Sequence, residues 1–371
     1  MLVWLHSLGI LGKYALPGNV TIRMLVGAVV GFLVSVLVTK YLVTFLNKLA
    51  IYDNANFEQM EHLKQLEKEG KIPPQQKKRK VPSFGGFGIV AGILAGALIA
   101  CDLTSHFVQA GLILVVLSCA LGFADDYRKL KKPETHGMSE FSKLFIGFLI
   151  GALVCGYIYA TTPTSRDLLT VWLPLIKNIG IYLGTFYAVF FILMISLTSN
   201  SVNITDGVDG LAAGLVAIAS FTLAIVCYVV SRTDYSSYLF ITHVPQAGEM
   251  AIIMTILAGA CLGFLWHNAS PASIYMGDTG SLAIGSLYGF AGLVAKQEML
   301  MLIIGGLFII EFISSLMQRL IYKATRTRYF PVAPVHITFE KMGWPSNHIV
   351  VRAYILGVFL ALLALGCLKM R

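Results

Sequence analysis

Charge is what this chain has least of. Asp, Glu, Lys and Arg make up 13% of its 371 residues and hydrophobic residues 57%, whereas a soluble domain carries about 25% charged residues. That balance excludes an ordinary soluble globule. It leaves an all-α polytopic membrane protein whose spans form one bundle, so residues 1–371 are read as a single integral-membrane domain. Carboxylates are scarcer still, 19 against 28 bases, for a net charge of +9. In a membrane chain such an excess reports loop topology, and no nucleic-acid partner is called for. The six cysteines, Cys101, Cys119, Cys155, Cys227, Cys261 and Cys367, never fall in C-x-x-C spacing. They read as small buried hydrophobes, not as a zinc or redox pair. Residues 1–19 lack the basic start, apolar run and cleavage site of a signal peptide, so the first span is expected to act as an uncleaved insertion signal. The absence of Gly-x-x-x-x-Gly-Lys argues against an ATP-driven pump.

What is present is a series of ten apolar segments, at about 23–46, 84–101, 107–124, 142–161, 179–199, 210–230, 250–266, 281–296, 299–322 and 349–368. The expectation is about ten transmembrane helices. Basic residues crowd alternate linkers: Lys64 to Lys80 before the second span, Arg128 to Lys143 after the third, Lys323 to Lys341 before the last. The positive-inside rule makes these linkers cytoplasmic and puts both termini in the periplasm. Counting crossings then makes 47–83, 125–141, 200–209, 267–280 and 323–348 the cytoplasmic loops. Nearly every polar cluster with chemical character falls in those five, which predicts one active site on the cytoplasmic face.

Asp125-Asp126-Tyr-Arg-Lys129 closes the third span. Adjacent carboxylates at a membrane surface suit Mg²⁺ or proton transfer, although mutual repulsion makes such a pair costly and a solvated stop signal would look similar. The stretch Asn200-Ser-Val-Asn203-Ile-Thr-Asp206-Gly-Val-Asp209-Gly210 holds two amides and two carboxylates, suited to coordinating a metal or reading a sugar or base; its Asp-Gly pairs also mark turns. Asn268 and Tyr275-Met-Gly277-Asp278-Thr-Gly-Ser281 precede the eighth span, taken to start at Ser281. Free amides at a helix start favour phosphate, and Asp278 beside them implies a bridging cation; an ordinary cap by Thr279 or Ser281 is the plainer reading. His336 lies in the last cytoplasmic linker, and Glu311, inside the ninth span, is an intramembrane carboxylate and so a functional candidate or a helix-pairing group. Together these groups suit metal-assisted phosphoryl transfer. A secondary transporter is the competing class, but it would show more charge at mid-depth and an inverted repeat.

Four motifs taken jointly, Pro82-Ser83-Phe-Gly-Gly, Asp125-Asp126-Tyr-Arg-Lys129, Asn200-x-x-Asn203-x-Thr-Asp206-Gly-x-Asp209-Gly-Leu-Ala and Phe264-Leu-Trp…Met276-Gly277-Asp278-x-Gly-Ser, carry a resemblance. The chain resembles the polyprenyl-phosphate N-acetylhexosamine-1-phosphate transferase superfamily, and within it most the branch that transfers phospho-N-acetylmuramoyl-pentapeptide. The resemblance implies ten spans in the bacterial inner membrane and a homodimer. It implies transfer from UDP-N-acetylmuramoyl-pentapeptide (UDP-MurNAc-pentapeptide) to undecaprenyl phosphate, giving lipid I and UMP for peptidoglycan, with Mg²⁺ as cofactor. By position, Asp278 matches the Mg²⁺ ligand and Asp125 the carboxylate proposed to deprotonate the lipid phosphate, with Asp126 close by. Lys78, Asp209, Asn268 and Tyr275 match positions around the uridine. Ser83, Asn203 and Asp206 match the nucleotide-sugar cleft, and Lys129 and Lys143 the lysines that meet phosphates. Asn200 and Gly277 fall inside the same motifs. The family's three consecutive histidines are here His336-Ile337-Thr338; only the first role transfers, which keeps transfer of N-acetylglucosamine-1-phosphate in play.

Overall fold

The computed structural model describes residues 19–49, 81–131, 137–163, 165–173, 179–327, 329 and 332–369. Lys78 and most of the 47–83 linker lie outside the described residues. The long helices are α1 (Val20–Lys48), α2 (Gly86–Ala100), α3 (His106–Lys131), α4 (Glu140–Thr161), α5 (Phe186–Thr205), α6 (Leu211–Ser231), α8 (Ala247–Asn268), α9 (Gly277–Val294), α11 (Gly306–Thr325) and α13 (Ser346–Lys369), with short helices α7 (Thr233–Leu239), α10 (Glu298–Ile304) and α12 (Val335–Lys341) between them. Among the described residues seven helices are long and apolar enough to cross a membrane, and α10 with α11 makes an eighth if that bent pair is one span. The chain is thus a multi-pass helical membrane protein. Two of the ten expected segments are shorter or more polar than a helix that crosses a membrane by itself. The helix α2 has only 15 residues, and α9 is buried at every residue from Asp278 to Val294 but opens on the polar turn Gly277-Asp278-Thr279-Gly280.

The packing follows from which side chains are small. In α1, Gly27, Gly31, Ser35 and Thr39 recur every fourth residue and are buried, while Leu25, Val29, Leu33 and Leu37 point outward. Small residues let backbones approach where there is no hydrophobic drive between helices, and the large apolar ones meet lipid. The small face of α1 packs on α8 and α2; α8 packs also on α6, and α9 is enclosed by α3 and α5. Glycines and alanines thus place two helices, α8 and α9, at the centre.

Two expectations are corrected. The apolar run taken to begin a helix at 179 starts as a strand: Gly180–Tyr182 pairs antiparallel with Thr170–Trp172, Val171 opposite Ile181, and α5 begins only at Phe186. The chain is therefore not purely α-helical. The run 299–322 is two helices meeting at 83°, with Gly305 and Gly306 at the break, where a glycine pair weakens the helix. That bend turns α11 so that only Phe308, Glu311 and Ser314 are buried.

At the hairpin end of the bundle a buried ion pair holds the corner between α9 and α10. Lys296 Nζ lies 2.7 Å from Glu298 Oε1 and 3.1 Å from the Leu168 carbonyl, and Tyr187 donates to Glu298 at 2.7 Å. The other end carries the candidate site.

Candidate active site

Helix α3 ends, α4 begins, α5 ends, and α6 and α9 begin at the same end of the bundle, and their polar termini meet there. Asp125, Asp126 and Asp278 are buried, with one carboxylate oxygen from each lying within 4.8 Å of the others. Lys129 Nζ reaches all three, at 2.7 Å from Asp125, 3.2 Å from Asp278 and 3.5 Å from Asp126. Lys143 lies 3.0 Å from Asp125 and in closer contact with Asp278. Pairing with two ammonium groups is what lets three carboxylates be buried here, and it leaves a negative excess.

The adjacent pair Asp125-Asp126 divides its work, because successive residues on a helix do not face the same way. Asp125 is fully buried, holds both lysines, and accepts from Met138 N at 2.6 Å. Asp126 turns instead to the start of α9, accepting from Thr279 N at 2.9 Å, Thr279 Oγ1 at 2.7 Å and Asp278 N at 3.2 Å. It acts as the N-cap of a helix far away in sequence. Two expectations are corrected here. Helix α9 starts at Gly277, four residues before Ser281, and two of its first amides are not free for phosphate, because Asp126 already occupies them. Nor is Thr279 or Ser281 the cap; Ser281 Oγ donates back to Gly277 O at 3.0 Å.

Two backbone contacts fix the start of α9. Tyr275 N donates to Pro82 O, and Gly85 N and Gly86 N donate to Tyr275 O and Met276 O, all within 3.0 Å. The Pro82–Gly86 motif is therefore zipped onto the Tyr275–Asp278 motif, with Ser83 buried beneath and Gly277 in the left-handed region at φ +72°. On the other side Gly122 of α3 lies against the same turn. A β-carbon there would fall 2.5 Å from Thr279 N and closer still to the Asp278 carbonyl.

Asn203, in the last turn of α5, donates from Nδ2 to Asp278 Oδ1 and to Ser281 Oγ, both at 2.8 Å. Asn200 turns back to its own helix, donating to Ser196 O at 2.8 Å. Asp209 accepts from Ala272 N at 3.1 Å. Buried Asn268 spends its amide on two loops, accepting from Gly210 N and donating to Ile274 O, each at 2.9 Å. Tyr275 is half-buried, and His336 is buried against the Asp206-Gly207 turn.

One family model, glycosyl transferase family 4, matches residues 108–296. The chain is 39% identical over 297 residues to a phospho-N-acetylmuramoyl-pentapeptide-transferase of Rickettsia canadensis, spanning 80% of this chain and 82% of that protein. The one from Rickettsia felis gives the same identity and coverage, and that of Rickettsia massiliae 38% over 316 residues, spanning 83% and 87%. This chain belongs to glycosyl transferase family 4. The family-matched segment holds the carboxylates, both lysines, Asn203, Asp206, Asp209, Asn268, Tyr275 and Asp278; Ser83 and His336 come from outside it.

Electrostatics separate the family-matched carboxylates. Asp278 is paired with Lys129 and Lys143, which offset the burial of its charge. Asp206, at the end of α5, keeps part of its own surface open yet sits deep among protein atoms. Its carboxyl is pushed up from 3.8 to about 8 by burial first, then by the charges of Asp278, Asp126 and Asp209.

The donor set fits a hard divalent cation, since carboxylate oxygens are its preferred ligands. Asp126 is committed to the amides of α9 and meets Lys129 only at 3.5 Å, so Asp278 and Asp125 are the carboxylates that hold the lysines most closely and could exchange them for a cation. The resemblance gave Asp278 alone as metal ligand, while the residues themselves also suggested Asp125-Asp126 for Mg²⁺. Sequence reasoning missed Thr279 as partner of Asp126 and Glu311 as partner of His336; the only signal was an intramembrane carboxylate with no visible mate.

Proposed function

We propose that this chain transfers phospho-N-acetylmuramoyl-pentapeptide from its UDP-linked donor to undecaprenyl phosphate, releasing UMP and leaving lipid I for peptidoglycan synthesis. The observation that carries this reading is the Asp125–Asp126–Asp278 group with Lys129 and Lys143, at one end of a membrane bundle whose relatives bear that activity's name. In the proposed placement α1 to α6, α8, α9, the bent pair α10–α11 and α13 make ten spans of the bacterial inner membrane. Both termini are then periplasmic and the carboxylate end cytoplasmic. The enzyme works as a homodimer.

Mg²⁺ held by Asp278 and Asp125 would supply charge neutralisation for the donor pyrophosphate and the departing UMP. The chain's own residues do the rest. Lys129 and Lys143, freed from the carboxylates, contact phosphate oxygens as point charges. Asp126 keeps the start of α9, and so Asp278, in place. Asn203 orients Asp278. Asp206, Ser83, Asn200 and Gly277 line the donor cleft; Asp209, Asn268, Tyr275 and Lys78 serve the uridine, Tyr275 by stacking and Asn268 by bracing the two loops that form its wall. His336 faces the cleft across Gly207. A phosphate oxygen of the lipid attacks the phosphorus that bears the sugar. One P–O bond forms as the P–O bond to UMP breaks, and positioning and electrostatic stabilisation lower the barrier.

The test is UMP release by purified protein with undecaprenyl phosphate and either UDP-MurNAc-pentapeptide or UDP-GlcNAc, with and without Mg²⁺. Release with the first donor only, dependent on Mg²⁺ and abolished in Asp278→Asn, is expected. Turnover with UDP-GlcNAc alone would reject the donor assignment, and full activity of Asp278→Asn the metal assignment.

A further inference from the structure

His336 is buried, and neither ring nitrogen makes a well-formed hydrogen bond. Such a group is costly unless something uses it. Nδ1 lies 3.2 Å from Glu311 Oε2, close but off the line of a good hydrogen bond. The same carboxylate accepts from His336 N, at 3.2 Å to Oε1 and 3.4 Å to Oε2, an amide in the first turn of α12 that has no partner within its own helix. Glu311 itself is held from the bend at Gly305, on the narrow buried face of α11. The opposite ring nitrogen, Nε2, abuts Gly207: a β-carbon there would fall 3.0 Å from Cε1 and closer to Nε2. Gly207 joins Asp206 to the turn that ends in Asp209.

We infer that Glu311 is a positioning residue that holds the His336 ring in the Nδ1–H tautomer, leaving Nε2 open toward the Asp206–Asp209 turn. The inference rests on the proposed transfer activity. The physical logic is that of any imidazole steered by a carboxylate. A negative oxygen beside Nδ1 draws the proton there, so Nε2 presents its lone pair. Alignment that is loose without substrate tightens when the cleft is filled. Glu311 touches no reacting atom and acts only through His336. The intramembrane carboxylate thereby has a use that neither helix pairing nor transport supplies.

Glu311→Gln separates this role from mere capping. Its amide oxygen can still accept from His336 N, so α12 keeps its cap, but its NH₂ then faces Nδ1 and drives the ring proton to Nε2. Wrong-tautomer variants of this kind lose about 10⁴-fold in kcat in a serine protease triad. Here a fall of about 100-fold or more in kcat is expected, with KM for the UDP-sugar changed less than about threefold and the thermal midpoint close to wild type. Glu311→Asp, which keeps the charge, should recover part of the loss. In a His336→Ala background Glu311→Gln should cost nothing further, because its effect is routed through the missing ring. Wild-type kcat in Glu311→Gln, or an equal loss in both backgrounds, would overturn the inference while leaving the transfer reaction standing. A second measurement does not depend on turnover. ¹⁵N spectra of histidine-labelled protein, assigned by loss of the His336 signals in His336→Gln, should show Nδ1–H in wild type and Nε2–H in Glu311→Gln. Should the wild type release no UMP, the proposed function falls and these spectra alone decide the tautomer: an unchanged tautomer in the variant refutes it.

Discussion

Gly122 offers the sharpest test of how the active end is built. In Gly122→Ala the new β-carbon would sit 2.5 Å from Thr279 N and closer to the Asp278 carbonyl, whereas carbon contacts relax at about 3.5–4.0 Å. The obstruction is backbone in the first turn of α9, not a side-chain tip that can swing aside, so that turn must retreat by about 1 Å. Alanine in a helix gains up to about 1 kcal/mol over glycine. Overpacking of this kind costs about 1–3 kcal/mol, occasionally more, so the clash outweighs the gain. The larger effect falls on chemistry. Asp278 rides on the displaced turn, with the Asp126 cap on one side and Asn203 on the other, and a misplacement of about 1 Å at a reacting centre costs about 100-fold. The control lies in the same helix. At Gly111 a β-carbon would meet Leu287 and Phe290 at 3.4 Å and beyond, an ordinary contact, so Gly111→Ala should keep at least about half the wild-type rate. Initial rates of UMP release and thermal midpoints in detergent, measured side by side, check both. If Gly122→Ala turns over like wild type, the close seat of α9 on α3 does not position Asp278, and the argument fails.

Two further outcomes follow from the same geometry. Asn203→Asp replaces a donor, 2.8 Å from Asp278 Oδ1, by a carboxylate. It removes a charge-assisted hydrogen bond worth about 1.5–3 kcal/mol and adds repulsion, so UMP release should fall by more than in Asn203→Ala; the reverse order would refute the contact. For Asp206, a carboxyl raised to about 8 in the folded protein favours folding while protonated. Its stabilisation is complete below pH about 4, the ordinary range for a carboxyl, and is lost as pH rises toward 8. The melting midpoint of metal-free protein, followed by intrinsic fluorescence, should therefore decline from pH 5 to 8, and Asp206→Asn should flatten that decline. An unchanged slope in the variant would show that Asp206 is not the group responsible.

Much of this arrangement was legible before any coordinates, and the reason is topological. Basic residues mark alternate linkers, and the alternation expected from them puts Asp125, Asn203, Asp278 and His336 at one end whatever the helices do in between. That deduction needs only the parity of the crossings, not where any helix begins. The hairpin was not legible: Gly180-Ile181-Tyr182 continues an apolar run into α5, and a short apolar run does not distinguish strand from helix. The start of α9 was not legible either, because Gly277-Asp278-Thr279-Gly280 looks like a solvated linker. It is helical and buried only because Asp126 caps it and Gly86 and Gly122 let α2 and α3 close on it.

The least legible fact was the division of labour within Asp125-Asp126. As sequence the pair reads as one acidic unit, and pairs of carboxylates invite assignment to a shared metal or a shared proton. On a helix, neighbours diverge by about 100°, and each finds a different partner. Asp125 gathers the two lysines, and Asp126 gathers the amides that begin the helix bearing Asp278. A base for the lipid phosphate must reach solvent or substrate, and Asp125, fully buried under Lys129, Lys143 and Met138 N, can do so only after the lysines leave. The order of events at this site then follows from the packing. Donor phosphates must draw Lys129 and Lys143 away before Asp125 is exposed to a cation or to substrate. Binding of the UDP-sugar should accordingly precede any access to Asp125. Loss of the Lys129–Asp125 and Lys143–Asp125 contacts in the absence of donor would contradict the buried cluster as described.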